Sequence, residues 1–243
     1  MRKFGLIGYP LTHSFSQSFF AEKFRRKGIS NCRYDLYPLT SVEKLPHLLQ
    51  AQHELEGLNV TIPYKEQVIP LLDELDAAAD QIGAVNVIRI VNGRRIGYNT
   101  DVFGFMHSIK NLLQPFHSAA LILGTGGSSK AVAYGLKNMG IEYEFVSRNP
   151  DEKELRYADL DEEVMHQYKI IINTTPVGMF PKVDDCPPIP YELITRSHLL
   201  FDLIYNPDET LFLKRGKERG ATIKNGLEML QLQAEKSWEI WNS

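Results

Sequence analysis

The sequence predicts an α/β protein built on open, largely parallel sheets, and three observations predict it. Short apolar runs alternate with amphipathic segments from the first residues, a glycine-rich loop follows the apolar run 119–123, and a second series of short apolar runs continues beyond that loop. At 243 residues, with 43% hydrophobic and 23% charged side chains, the chain can bury one large core or two modest ones.

In the first series, a strand over 4–8 is followed by a helical segment over 16–27 and a strand over 34–38. An amphipathic segment over 41–54 and a strand over 57–62 complete it. Asn92-Gly93 separates the alternating runs 85–91 and 94–98, which predicts a hairpin, because a two-residue turn of this kind requires positive φ at its centre. Residues 102–114 read as helical and lead to the second series, with strands over 119–123, 143–146, 169–173 and 199–203. Leu227, Leu230, Ala234, Trp238 and Trp241 recur at helical spacing and give a closing helix one apolar stripe. Residues 181–190 form a proline-rich loop, and the chain carries no internal repeat.

A net charge of −3 supplies no global basic field, so neither nucleic acid nor an anionic membrane is expected as a partner, and any phosphate binding is local. Cys32 and Cys186 lack the spacing of a metal site or a disulfide framework and read as reduced thiols, so no metal is expected. The N-terminus reaches Pro10 and His13 before a signal-peptide core develops, and no run approaches the ~18 apolar residues of a membrane span. The expected location is the cytoplasm.

The loop Gly124-Thr125-Gly126-Gly127-Ser128-Ser129 joins a strand to a helix-forming stretch. Glycines there let the backbone turn tightly and approach a pyrophosphate, which rests on the helix N-terminal amides. Ser129 stands at the third fingerprint position, where Gly or Ala is usual, so the loop alone also fits a structural turn. Its context points to a dinucleotide. A fold of this kind that binds NAD carries an acidic residue at the end of the second strand; here Ser147-Arg148-Asn149 follows that strand. A guanidinium among small polar groups suits a 2′-phosphate, which predicts NADP; the alternative is a solvated surface arginine.

Polar residues gather at the other strand ends. Ser14 and Ser16 follow the first strand, Asn59, Thr61 and Lys65 the third, and Asn86 and Asp101 flank the hairpin. Hydroxyls, amides, one ammonium and one carboxylate match a small polyhydroxylated acid. Taken singly, Ser16 reads equally as a helix cap, Lys65 as a solvated helix lysine and Asp101 as an N-cap.

These residues, with Gly83-Ala84-Val85-Asn86, Asn99-Thr100-Asp101, Asn173-Thr174-Thr175-Pro176-Val177-Gly178-Met179, the segment 202–207, Gly226-Leu227-Glu228-Met229 and Gln233, resemble the shikimate/quinate dehydrogenase family nearly end to end. The resemblance implies reversible reduction of 3-dehydroshikimate to shikimate with NADPH, a step toward chorismate and the aromatic amino acids. It implies a substrate-binding domain, 1–101 plus 225–243, and a Rossmann-like NADP-binding domain, 102–224, with the C-terminal helix returning to the first. A monomer or homodimer acting on a small-molecule substrate is expected.

Carried over by the resemblance, Ser14 and Ser16 hold the substrate carboxylate, Asn59, Thr61, Asn86, Asp101 and Gln233 contact its hydroxyls, and Tyr205 lies at the substrate. Lys65 and Asp101 match the catalytic pair; the expected division has Lys65 polarising the reacting oxygen and relaying its proton while Asp101 orients substrate hydroxyl and ammonium, and the sequence leaves open which of the two is the formal acid/base. Gly124, Gly126 and Gly127 meet the pyrophosphate, and Ser147, Arg148 and Asn149 the 2′-phosphate. Thr174, Gly178 and Met229 meet the nicotinamide half. The chain departs from the family pattern at Gln17, at Phe19-Phe20-Ala21, where a His-Asn pair is usual, and at Lys130 and Asn149. A quinate-tolerant dehydrogenase and a non-catalytic dinucleotide- or shikimate-binding sensor are the competing readings.

Overall fold

A computed structural model describes residues 1–11 and 14–243; Thr12 and His13, the latter part of the resembling segment at Ser14, lie outside the described residues. The chain divides into two compact units, Met1–Thr100 with Gln233–Ser243, and Asp101–Leu232.

The first unit contains β1 (Arg2–Gly8), α1 (Phe15–Lys27), β2 (Cys32–Pro38), α2 (Leu45–Ala51), β3 (Leu55–Val60), β4 (Glu74–Leu75), α3 (Ala77–Ile82), β5 (Val87–Val91) and β6 (Arg94–Tyr98). Its sheet runs β2-β1-β3-β5-β6-β4 and is mixed, with β1 parallel to β2 and β3, and β5 antiparallel to β3 and β6. The β5–β6 hairpin closes at Asn92 and Gly93, whose φ values of 51° and 77° are those the Asn-Gly pair predicts. The single amphipathic segment expected over 41–54 is instead a 3-10 turn, Val42–Lys44, followed by α2, with Pro46 seated in the first turn, where its missing N–H costs nothing.

The second unit contains α4 (Asp101–Ile109), β7 (Ala119–Leu123), α5 (Gly127–Asn138), β8 (Glu142–Ser147), β9 (Leu155–Arg156), α6 (Glu162–Gln167), β10 (Ile170–Asn173), β11 (Leu199–Asp202), α7 (Leu211–Glu218), β12 (Thr222–Lys224) and the first residues of α8 (Leu227–Trp241). Its six strands are all parallel, in the order β12-β11-β10-β7-β8-β9. The chain runs outward from β7 in both directions, which is the doubly wound, Rossmann-like arrangement. All five residues of β7 are buried because both faces are covered: Ala120 and Ile122 pack with Phe105 and Val132, and Leu121 and Leu123 with Met165 and Phe212. Among the described residues, no helix is long and apolar enough to cross a membrane.

The end of α8 belongs to the first unit, where Trp241 packs in one cluster with Phe4, Phe20, Phe24 and Tyr34. Phe20 stacks on Tyr34 with ring centroids 4.5 Å apart. Phe20, in the stretch where the family usually has His-Asn, therefore joins an aromatic core here, with Phe19 packed against it.

Candidate active site

In the first unit, β1, β3 and β6 end on the same side of the sheet, and antiparallel β5 begins there. Asn59, the penultimate residue of β3, is buried; its Oδ1 accepts from the Tyr34 hydroxyl at 2.8 Å and its Nδ2 donates to Ser237 Oγ at 3.0 Å. Burial pushes the Tyr34 phenol far up, so it remains a neutral donor.

Asn86 precedes β5. Its Oδ1 accepts the Thr100 amide at 2.7 Å, and its Nδ2 donates to Thr100 Oγ1 at 3.0 Å and to Gln233 Oε1 at 3.4 Å. Thus Asn59, Asn86 and Gln233, separated widely in sequence, form one buried polar network with Tyr34, Thr100 and Ser237. Those last three were not singled out as site residues. Ser237 carried a signal: it lies four residues after Gln233, on the helix side that buries Ala234 and Trp241, and a polar residue at an otherwise apolar position needs a buried partner.

Ser14 caps α1, its Oγ accepting the Gln17 amide at 3.4 Å, so the capping role considered for Ser16 falls two residues earlier. Thr61 and Lys65 follow β3. Lys65 stands on a turn, half-buried, which corrects its alternative reading as a solvated helix lysine. The turn is anchored by the Val85 amide donating to the Lys65 carbonyl at 2.7 Å and by the Tyr64 hydroxyl donating to the Leu39 carbonyl at 2.5 Å. In the second unit, Asp101 is buried as the first residue of α4, inside the helix rather than at the cap considered for it.

The residues expected to contact the nucleotide, apart from Gly178 and Met229, lie at the carboxyl ends of β7, β8 and β10. Chain direction diverges between β7 and β10, the switch point where ligands bind in such sheets. Gly124 has φ 100°, and a Cβ there would meet Thr175 Cγ2 at 2.8 Å and Thr174 Oγ1 at 3.1 Å, so only glycine fits. A Cβ at Gly126 would meet nothing, which leaves its surface open to a ligand. Gly126 caps α5 with no side chain over the helix amides, and Gly127 begins the helix. Ser129, buried, donates its Oγ to the Gly126 carbonyl at 2.6 Å and so closes the first turn from within. A helix start with no side-chain cap, a glycine-only approach and a switch point fit a bound pyrophosphate.

Ser147 ends β8, and Arg148 and Asn149 follow, exposed; the Asn149 amide donates to Ser147 Oγ at 3.3 Å. Thr174 Oγ1 donates to the Leu123 carbonyl at 2.7 Å, tying the end of β10 to the end of β7. Gly178, with φ 96°, lies in the loop beyond, and Tyr205 is half-buried, its phenol pushed up by burial. Met229 is buried in the apolar cluster around Phe105 and Phe201.

Three comparisons bear on this arrangement. The profile of the "Shikimate dehydrogenase substrate binding domain" matches residues 6–88. The shikimate dehydrogenase (NADP(+)) of Methanosphaera stadtmanae is 38% identical over 98% of this chain and 90% of its own length. The chain belongs to the shikimate dehydrogenase family. Among solved structures, the shikimate dehydrogenase of Aquifex aeolicus matches with a TM-score of 0.89 at 36% identity, over 100% of this chain and 92% of that one. The enzyme of Thermus thermophilus, solved in complex with NADP(H) and shikimate, matches with a TM-score of 0.88 at 31% identity, over 99% of this chain and 93% of that one. The family resemblance and the two α/β units read from the sequence agree with these relatives.

Asp202, at the end of β11, is fully buried, and burial pushes its carboxyl up to about 7, against the opposing pull of donors from Thr210, Ile204 and Asn173. A folded-state pKa above the unfolded value means that the native state binds the proton more tightly. The contribution of Asp202 to stability is therefore greatest below about pH 4, falls as pH rises toward 7 and is level above it, a change on the order of 4 kcal/mol. Asp202→Asn is expected to abolish this part of the slope, so that the variant gains on the parent protein between pH 5 and pH 8 in urea melts; parallel pH profiles would contradict it.

Proposed function

We propose that the chain is an NADP-dependent shikimate dehydrogenase that reversibly reduces 3-dehydroshikimate to shikimate. The observation that carries this reading is the buried network of Asn59, Asn86 and Gln233 at one sheet end, in a chain whose relatives act under that name. Three amides held by Tyr34, Thr100 and Ser237 cannot swing, so their orientation selects a fixed pattern of ligand hydroxyls.

In this reading Ser14 and Ser16 bind the substrate carboxylate, and Asn59, Thr61, Asn86 and Gln233 orient the ring through its hydroxyls. Lys65 holds the proton of the oxygen that becomes a carbonyl, and Asp101 accepts from a neighbouring hydroxyl, with Tyr205 completing the site. Gly124, Gly126 and Gly127 bind the pyrophosphate of NADP, Ser147, Arg148 and Asn149 its 2′-phosphate, and Thr174, Gly178 and Met229 its nicotinamide half. When bound, NADP supplies the hydride-transfer chemistry. Residues 1–101 with 225–243 serve the substrate and 102–224 the nucleotide, except that Met229 serves the nucleotide and Tyr205 the substrate.

The test is NADPH formation, followed by absorbance, with purified protein, shikimate and NADP, repeated with quinate and with NAD. Robust turnover with shikimate and NADP is expected. Preference for quinate would transfer the reading to the quinate-tolerant enzyme, and binding of shikimate without turnover to the sensor.

A further inference from the structure

Asp202 is a buried carboxylate for which the reaction above has no use, and its surroundings assign it one. It accepts three hydrogen bonds, from Thr210 Oγ1 at 2.6 Å, the Ile204 amide at 3.0 Å and Asn173 Nδ2 at 3.1 Å, and all three donors are neutral. A carboxylate buried without a cation is costly, so its retention calls for something that an apolar side chain could not do.

The partner Asn173 is saturated. Its Nδ2 donates to Asp202 and to the Val177 carbonyl at 3.3 Å, and its Oδ1 accepts both the Thr175 amide at 3.1 Å and Thr175 Oγ1 at 2.6 Å. Thr175 Oγ1 in turn accepts the Val177 amide at 3.2 Å. An asparagine amide can be rotated by half a turn at little steric cost, and only its partners decide which end is which. Asp202 Oδ1 also accepts the Ile204 amide, so it stays an acceptor toward Asn173 in either protonation state and directs Nδ2 toward β11 and Oδ1 toward Thr175. The turn 175–177 is folded around that choice, and it leads directly into Gly178. A second route reaches the same place: a Cβ at Gly178 would lie 3.8 Å from Cβ of Thr210, the residue that donates to Asp202. Asp202 also fixes the Ile204 amide, one residue before Tyr205.

We propose that Asp202 and Asn173 are a positioning pair for the cofactor: they set the shape of the 174–178 loop that receives the nicotinamide half of NADP. Neither touches the reacting atoms. The pair acts through Thr175, Val177 and Gly178, and the inference rests on the assignment of that loop to NADP.

Three variants test it in the full-length protein. Asp202→Ala removes the acceptor; Asp202→Asn keeps the shape and retains an acceptor oxygen for Asn173 and Ile204, because the Thr210 hydroxyl can turn to accept. Thr175→Val, nearly isosteric, cuts the loop from Asn173 without touching the core and serves where Asp202→Ala does not fold. NADPH binding is read directly by its fluorescence, without substrate, alongside amide hydrogen exchange over 174–179 in the unliganded protein and KM values for both substrates. Asp202→Ala and Thr175→Val are expected to accelerate exchange over 174–179, to weaken NADPH binding by about tenfold, as loss of charged and neutral hydrogen bonds of this kind would, and to leave the shikimate KM within about twofold. Asp202→Asn is expected to restore NADPH binding to near the parent value. Unchanged NADPH affinity in Thr175→Val, or equal losses for both substrates, would overturn the proposal. If the parent protein neither binds NADPH nor turns over shikimate, the functional reading fails first; faster exchange over 174–179 in the variants would still support the pinning of the loop, and unchanged exchange would overturn it.

Discussion

Lys65→Ala is expected to lower kcat by roughly 10²–10⁴-fold while changing the KM for shikimate only a few-fold, the pattern of a lost proton-transfer group. The side chain stands on a turn whose backbone is fixed from two sides. The Val85 amide holds the Lys65 carbonyl at 2.7 Å, and the neighbouring Tyr64 hydroxyl holds the Leu39 carbonyl. Val68, fully buried, pins the far end of the same segment. Truncation at Cβ disturbs none of these anchors, and where the thermal midpoint holds, a fall in activity reports on the ammonium itself. Lys65→Arg keeps the charge but places a planar group that does not release its proton near neutrality, and is expected to remain close to the alanine level. Steady-state rates with shikimate and NADP, combined with a thermal melt of each variant, decide the matter. Near-parent kcat in Lys65→Ala would remove the residue from the proton path and leave Asp101 as the group to examine.

The parts of this protein that could be read from sequence are those in which neighbours along the chain settle the outcome. The run 119–123 is apolar at every position because both faces of β7 are covered, and its observed bounds coincide with the run. Asn92-Gly93 fixed the hairpin through φ alone. Short elements escaped: β4, β9 and β12 span two or three residues each, too few for a period to register, and α3, α6 and α7 were not foreseen. The first sheet was read as largely parallel from its early rhythm, whereas insertion of the hairpin between β3 and β4 makes it mixed. In the site, Asn59 and Asn86 were legible as polar residues at strand ends, and Gln233 through the family resemblance. Tyr34, Thr100 and Ser237, which hold them, escaped because their bonds are long-range, the Asn59 to Ser237 contact joining residues 178 positions apart. Nothing local marks the partner of a buried amide; only the rule that it must have one does.

That same closing helix gives the largest stability effect expected in the first unit. Trp241 is 4% exposed, stacks on Phe4 with centroids 4.8 Å apart, approaches Phe20 at 5.5 Å, and donates its Nε1–H to the Ile88 carbonyl at 3.0 Å. Trp241→Ala removes the ring and leaves a cavity under β1 and β3, at a cost of ~3–5 kcal/mol, a large share of the ~5–15 kcal/mol that holds a domain together. Trp241→Phe should recover most of the packing and lose mainly the bond to Ile88, about 1 kcal/mol or somewhat more. A second substitution makes the test specific. A Cβ at Gly57 would lie 2.2 Å from Trp241 Nε1, so Gly57→Ala is excluded by the indole itself. In the parent protein it is expected to be strongly destabilising; combined with Trp241→Ala, its methyl enters space that the ring has vacated, and the double variant should be more stable than the sum of the single losses by about 1 kcal/mol or more, well above the ~0.3–0.5 kcal/mol expected of independent sites. Urea unfolding of the four proteins measures the cycle. Because Gln233 and Ser237 lie on the same helix, the Trp241→Ala protein should also bind shikimate more weakly at temperatures where it remains folded, whereas strict additivity in the cycle would mean that α8 does not hold its indole against Gly57.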